Sequence, residues 1–190
     1  MQVRDVAALA TEAFIQMVKM MDEGWTLVRA EGRFIDDPNV SHVHDLVMVK
    51  DGKYKYIEVK NWYQAPDGTP LAVYLWSSMK GAADAKDGKA GQLYVDLARA
   101  FSKKADDLDV QWTFGNRSGD PAKIVADLID KAKSDPQRLR PILKASGNEK
   151  LLSEFDDLKD IADKREFIDS ELKPLLNKMF VSGADLAGVK

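Results

Sequence analysis

The stretch HDLVMVKDGKYKYIEVKNW, residues 44–62, decides how the chain is read. Asp51-Gly52, flanked by Lys50 and Lys53, is the strongest short signal for a two-residue hairpin turn. The segments on either side, 43–49 and 54–62, are rich in β-branched and aromatic residues and read as its two strands. Successive strand side chains point to opposite faces, so Glu58 and Lys60 share one face, roughly 7 Å apart along the backbone. Ile57 and Val59 point the other way, into a core. Folding the hairpin brings Asp45 alongside Glu58 and Lys60 if it faces the same side and the strands pair with Asp45 near the far end.

Outward from this hairpin the pattern alternates between helix and strand. Residues 5–22 repeat apolar side chains at helical spacing, and Val6, Ala10, Ala13, Phe14, Met17 and Met21 are the expected buried face, with Gly24 ending the helix. A strand is expected over 25–34 and a turn at 36–39. After the hairpin come a turn at 65–70 and two helices, 71–86 and 90–105, separated by a break at 87–89. A fourth strand covers 109–114 and ends in GNRSGDP. Beyond Pro121 the expectation is helix throughout: 121–134, 136–145, and 148–180 with breaks near Asp163 and at Pro174. This order predicts an α/β fold, a mixed sheet flanked by helices over 1–118, with a helical C-terminal extension over 119–190 packed on it.

Composition narrows the function. Over 190 residues, 45% hydrophobic and 31% charged residues suit an ordinary globular chain. No run of 18 apolar residues is present, so no membrane span is expected, and the N-terminus lacks an apolar signal-peptide core. Cysteine is absent, which excludes disulfides and thiolate metal sites. The net charge of -3 counts against strong nonspecific DNA binding but leaves room for a local basic groove. Lys50, Lys53, Lys55, Arg29 and Arg117, with QRLRPILK at 137–144, are candidate phosphate contacts.

Two carboxylates meeting on one hairpin make a hard oxygen site. Mg²⁺, or Mn²⁺ in its place, takes such ligands together with waters and substrate phosphate. Asp45 and Glu58 are the expected metal ligands, and Lys60 the group that contacts phosphate or the attacking water. At an open cleft, loss of Lys60 would change folding little. The alternative reading of the same residues is a solvated strand face. His42 and His44 could ligate zinc from one strand face, but no third soft ligand follows in the sequence. Trp62 and Tyr63 could stack on a base or pack at the sheet edge.

The spacing Asp45, then Glu58-Val59-Lys60, in this element order over residues 5–115, resembles the PD-(D/E)xK nuclease superfamily, the restriction-endonuclease-like fold. His44 stands where the family's nominal motif has proline. The leading helix and the strand beginning WTLVRA resemble archaeal-type Holliday junction resolvases, which implies a metal-site role for Glu12, with Glu31 on the neighbouring strand as its rival. Some family members carry a glutamine or lysine where Gln92 begins its helix, which implies a catalytic contact to phosphate or water there. The resemblance implies a metal-dependent endonuclease, with DNA slightly preferred over RNA. In style rather than motif, the chain also resembles the nuclease domains of bacterial effector toxins. That would imply RNA or tRNA cleavage, an immunity or regulatory protein as partner, and a place in the cytoplasm, the chain's own or a target cell's. The remaining alternative is an inactive nuclease-like fold serving as a protein-interaction module through the hairpin face and the acidic C-terminal helices.

Overall fold

The computed structural model describes residues 3–62, 70–85 and 88–183. Tyr63, residues 65–69 of the expected turn and residue 87 of the expected break lie outside them. The chain forms two compact units. The first comprises Met1–Thr69, Asp109–Pro121 and Met179–Lys190, and the second Pro70–Leu108 and Ala122–Lys178. Both units are therefore discontinuous in sequence.

The first unit is built on a five-stranded mixed sheet, so the α/β class expected from the sequence is the class observed. Helix α1, Val3–Asp22, leads into β1, Thr26–Gly32, β2, His44–Lys50, and β3, Lys53–Lys60. β4, Val110–Phe114, and β5, Phe180–Ser182, complete the sheet in the order β1-β2-β3-β4-β5. The first three strands form an antiparallel meander, and β4 and β5 add in parallel. The β2–β3 turn has Asp51 at φ 50° and Gly52 at φ 74°, the left-handed pair that a two-residue hairpin needs to match strand twist. Between Leu27 and Arg29 the β1–β2 register slips by one residue, a bulge that re-aims the end of β1.

Strand alternation separates the sheet's two faces. Leu46, Met48, Ile57 and Val59 share one face with Met20, and Leu9, Ala13 and Met17 of α1 pack against them. Lys55 lies on this face too, its ammonium 5.1 Å from the Trp25 ring. The inward stripe of α1 differs from the apolar face expected. Glu12 and Gln16 are buried, whereas Phe14 is 62% and Met21 50% exposed. The helix tolerates two polar side chains inward because they bond each other: Gln16 Nε2 donates to Glu12 Oε1 over 3.3 Å. Hydropathy alone would not choose that face.

β5 is not among the expected strands; its first residue, Phe180, reads as the end of the long helix expected over 148–180. Its Phe180 stacks on Trp112 and tilts against Phe114, with ring centroids 5.8 Å and 4.8 Å apart. Those aromatic contacts, with pairing to β4, override local helix preference.

The second unit is helical: α2, Leu71–Ser78; α3, Gln92–Ser102; α4, Pro121–Ser134; α5, Leu139–Ser146; α6, Glu149–Asp157; α7, Ile161–Phe167; and α8, Lys173–Met179. The boundary residues Pro121 and Met179 fall in the first unit. Gly91 sits so close to the Ser78 carbonyl that any Cβ there would collide with it, and the Ser78 hydroxyl accepts from Leu93 N–H at the start of α3. Asn148 caps α6 by accepting from Leu151 N–H and also donates to the Phe101 carbonyl. The expected break near Asp163 falls just before it, between α6 and α7. Pro174 does not end a helix. The preceding turn, Ile168–Leu172, widens to a π-helix, which accommodates a ring that removes one backbone donor. No helix among the described residues is long and apolar enough to cross a membrane.

Candidate functional site

The β2–β3 ladder pairs Leu46 with Ile57, so its next step sets Asp45 opposite Glu58. Cross-strand neighbours of this kind stand about 5 Å apart at Cβ and face the same side. On the other flank Ala30 pairs with Leu46 and Gly32 with His44, which sets Glu31 opposite Asp45. Three carboxylates therefore lie in one row across β1, β2 and β3, graded from exposed Glu31 through half-buried Asp45 to Glu58, 4% exposed. Glu31 holds φ 54°, a left-handed conformation that costs a non-glycine residue of order 1 kcal/mol. The bulge in β1 lies just before it.

Each carboxylate of the central pair is anchored. Val59 N–H donates to Asp45 Oδ2 over 2.6 Å, which fixes the plane of that carboxyl. Lys60 Nζ donates to Glu58 Oε1 in a buried ion pair. The same ammonium lies 5.2 Å from the Trp112 ring centroid. Lys53 and Lys55 alternate onto the opposite face with Ile57 and so are directed away from this pair.

Lys60 is itself only 7% exposed, which corrects the expectation of an exposed cleft lysine. The hairpin sequence shows its charge but not the depth of the strand's end. Burial raises the Asp45 carboxyl above its ordinary 3.8, and the nearby charge of Glu31 adds to this. The Val59 hydrogen bond and the charges of Lys60 and His44 act in the opposite direction.

The neighbourhood of Asp45 is held by an aromatic cluster. The His44 ring lies 4.7 Å from Phe34, 5.5 Å from Tyr56 and 4.4 Å from His42. Tyr56 Oη accepts from Ile35 N–H over 2.9 Å and ties the segment after β1 to β3. Both histidines of the 42–44 pair are thus part of ring packing at the start of β2.

Glu12 falls elsewhere. α1 packs on the Ile57–Val59 face, where Glu12 Oε1 accepts from Gln16 Nε2 and the carboxylate lies against Gly183. A side chain at Gly183 would collide with the Glu12 carboxylate. Alternation directs Glu58 and Lys60 to the other face of the sheet, and the strand position beside Asp45 on β1 belongs to Glu31. Gln92 is the first residue of α3, in the second unit.

Sequence reading missed a latch at the end of β3. Gly115 N–H donates to the Lys60 carbonyl over 2.8 Å, and the Ser118 hydroxyl donates to the same carbonyl over 2.8 Å. Trp62 N–H donates to that hydroxyl, and Arg117 N–H donates to Asn61 Oδ1. These partners lie more than fifty residues apart in sequence, so no local pattern signals them. The one trace is glycine at 115, where a Cβ would run into Asn61.

The donor set suits a hard divalent cation: oxygen ligands only, two of them converging from paired strands. Ligation would use Asp45 Oδ1 and Glu58 Oε2, the oxygens other than those engaged by Val59 and Lys60. A buried ammonium beside the carboxylates can meet a phosphate without carrying it into bulk water. No protein-family model, curated protein or solved structure matches this chain.

Proposed function

We propose that the first unit is a metal-dependent phosphodiesterase that cleaves nucleic acid internally, with DNA ahead of RNA as substrate. The observation that carries this reading is the buried Lys60–Glu58 ion pair with the Asp45 carboxyl beside it, held by Val59 N–H between those two residues. The resemblance of this trio to the PD-(D/E)xK pattern supports it and supplies the preference for DNA.

In this reading Asp45 and Glu58 hold Mg²⁺. The bound ion would lower the pKa of a water and neutralise charge developing on phosphorus. The protein's own part is orientation. Val59 N–H holds the Asp45 carboxyl plane, Glu58 holds the Lys60 ammonium, and the ammonium stabilises the phosphoryl oxygens as they gain charge. A general-base role for Lys60 conflicts with its surroundings, because adjacent carboxylates favour the protonated ammonium.

Purified protein incubated with plasmid, single-stranded DNA and total RNA in Mg²⁺ tests the reading. Cleavage of DNA is expected, abolished by chelator and by Asp45→Ala. Cleavage of RNA alone would reverse the substrate preference. No cleavage of any of the three, or equal cleavage by Asp45→Ala, would sink the proposal and leave the hairpin face as a protein-docking surface.

A further inference from the structure

We infer that the second unit carries a binding cleft for a compact organic anion, an apolar body with a carboxylate or phosphate head. It is separate from the nuclease reading, because every residue that lines it lies in Pro70–Leu108 or Ala122–Lys178.

Shape is the first observation. A cleft of about 200 Å³ opens where the end of α3, the segment leading to Leu108, the start of α6 and the helix α8 meet. That volume is below the roughly 300 Å³ at which pockets for drug-sized ligands begin, so the body it takes is small. The walls are already tied together. Asn148 donates to the Phe101 carbonyl over 2.9 Å and accepts from Leu151 N–H over 3.2 Å, which joins α3 to α6 beside the cleft. A wall built in this way needs little ordering when a ligand arrives.

The second observation is the apolar lining. Phe101, Leu108, Leu151 and Leu175 line the cleft, and the three leucines are only half-buried. Apolar surface is therefore left for a ligand to cover, with the free-energy gain that follows from removing it from water. A mostly apolar lining with a few polar groups is the usual make-up of a small-molecule site.

The third observation is charge. Lys103, Lys104 and Lys178 belong to the lining against a single carboxylate, Glu171, so positive charge is in excess. Lys104 and Lys178 are exposed, and neither ion-pairs with a described residue. Long lysine stems cover apolar walls while the ammonium stays at the water boundary, which suits them to meet an anionic head at the mouth of the cleft. Glu171 comes from the π-helical turn Ile168–Leu172, a rare geometry that recurs at functional sites. An inorganic anion would leave the leucines uncovered, and an uncharged body would leave the lysines unused. The two features together select a ligand that has both parts.

Isothermal titration calorimetry of the full chain, in chelator and at low salt, tests this with four compounds. Phenyl phosphate and benzoate have body and head, inorganic phosphate has only the head, and benzyl alcohol has only the body. At least one aryl anion is expected to bind about tenfold or more tighter than inorganic phosphate and benzyl alcohol, and the tighter of the two names the head group. Lys104→Glu combined with Lys178→Glu should weaken that aryl anion about tenfold or more and leave its melting temperature near wild type, since exposed lysines contribute little to stability. Leu175→Gln, checked for folding by the same melt, should weaken both aryl anions. Absence of binding by both aryl anions overturns the site. Inorganic phosphate that binds as tightly as they do overturns the apolar half of the cleft, and with it the proposal. Aryl-anion binding undiminished in the double lysine variant places the ligand elsewhere and overturns it as well.

Discussion

At the scale of single residues, Lys60 and Glu58 stand or fall together. Both are buried, and each provides the other's counter-charge. Lys60→Ala would strand a buried carboxylate, at a cost of about 3 kcal/mol, and should also lower turnover by roughly 10²-fold or more. The double change Glu58→Gln, Lys60→Met removes both charges and should recover most of that stability while remaining inactive. Urea melts beside a cleavage assay read the two effects separately; a double variant as unstable as Lys60→Ala would show that the ion pair is not the cause. Asp45 gives a pH signature. Burial raises its folded-state value above 3.8, so the metal-free folded protein keeps a proton that the unfolded chain has released. Stability therefore falls as pH rises through the window between 3.8 and that raised value, and the cost is fully present above it. Asp45→Asn retains an acceptor for Val59 N–H and removes the charge. In chelator, it should melt above wild type at pH 7, with the gap closing as pH falls toward 3.8. A gap that does not change with pH would mean that the carboxylate's ionisation is not what the variant relieves.

At the scale of elements, the β2–β3 hairpin sets the register that brings Asp45 to Glu58. A one-residue slip would send every side chain of one strand to the opposite face. The turn that prevents this depends on Gly52 at φ 74°. A Cβ at that position would meet nothing within 4 Å, so Gly52→Ala tests backbone conformation alone. It should cost about 1 kcal/mol in denaturant melts and leave the cleavage rate per folded molecule unchanged. A much larger loss, or one that takes activity with it, would indicate that register as well as turn energy depends on the glycine. The bulge in β1 works on the neighbouring pairing: it re-aims the strand just before Glu31, which then adopts its left-handed conformation opposite Asp45.

At the scale of the whole molecule, the sheet is completed only when the chain returns from the second unit. β5 comes from residues 180–182, far from the other strands in sequence. Its Phe180 packs on Trp112, and Trp112 in turn lies beneath the Lys60 ammonium. Phe180→Ala should cost about 3 kcal/mol or more, as for other buried aromatic truncations. It should also reduce cleavage beyond what the unfolded fraction explains, because one wall of the Lys60 site is loosened. Activity that tracks the folded fraction alone would separate β5 from the site.

Local physics made much of this legible from sequence. Asp51-Gly52 between β-formers determined the hairpin, and alternation from it put Glu58 with Lys60 and Ile57 with Val59, because turn geometry and strand period act over a few residues. Helical spacing likewise found most helices of the second unit. The rest depended on contacts between distant segments. On α1 the Gln16–Glu12 bond and the close approach of Gly183 hold two polar side chains inward, and Phe14 lies outside. That residues 180–182 are strand was decided by Trp112 and Phe114, against their helix-like surroundings. That Lys60 is buried, and that the loop 115–119 is latched beside it, was decided by parallel pairing of β3 with β4. Such outcomes follow from burial and hydrogen bonding between segments brought together only by folding, and a linear pattern carries no record of them.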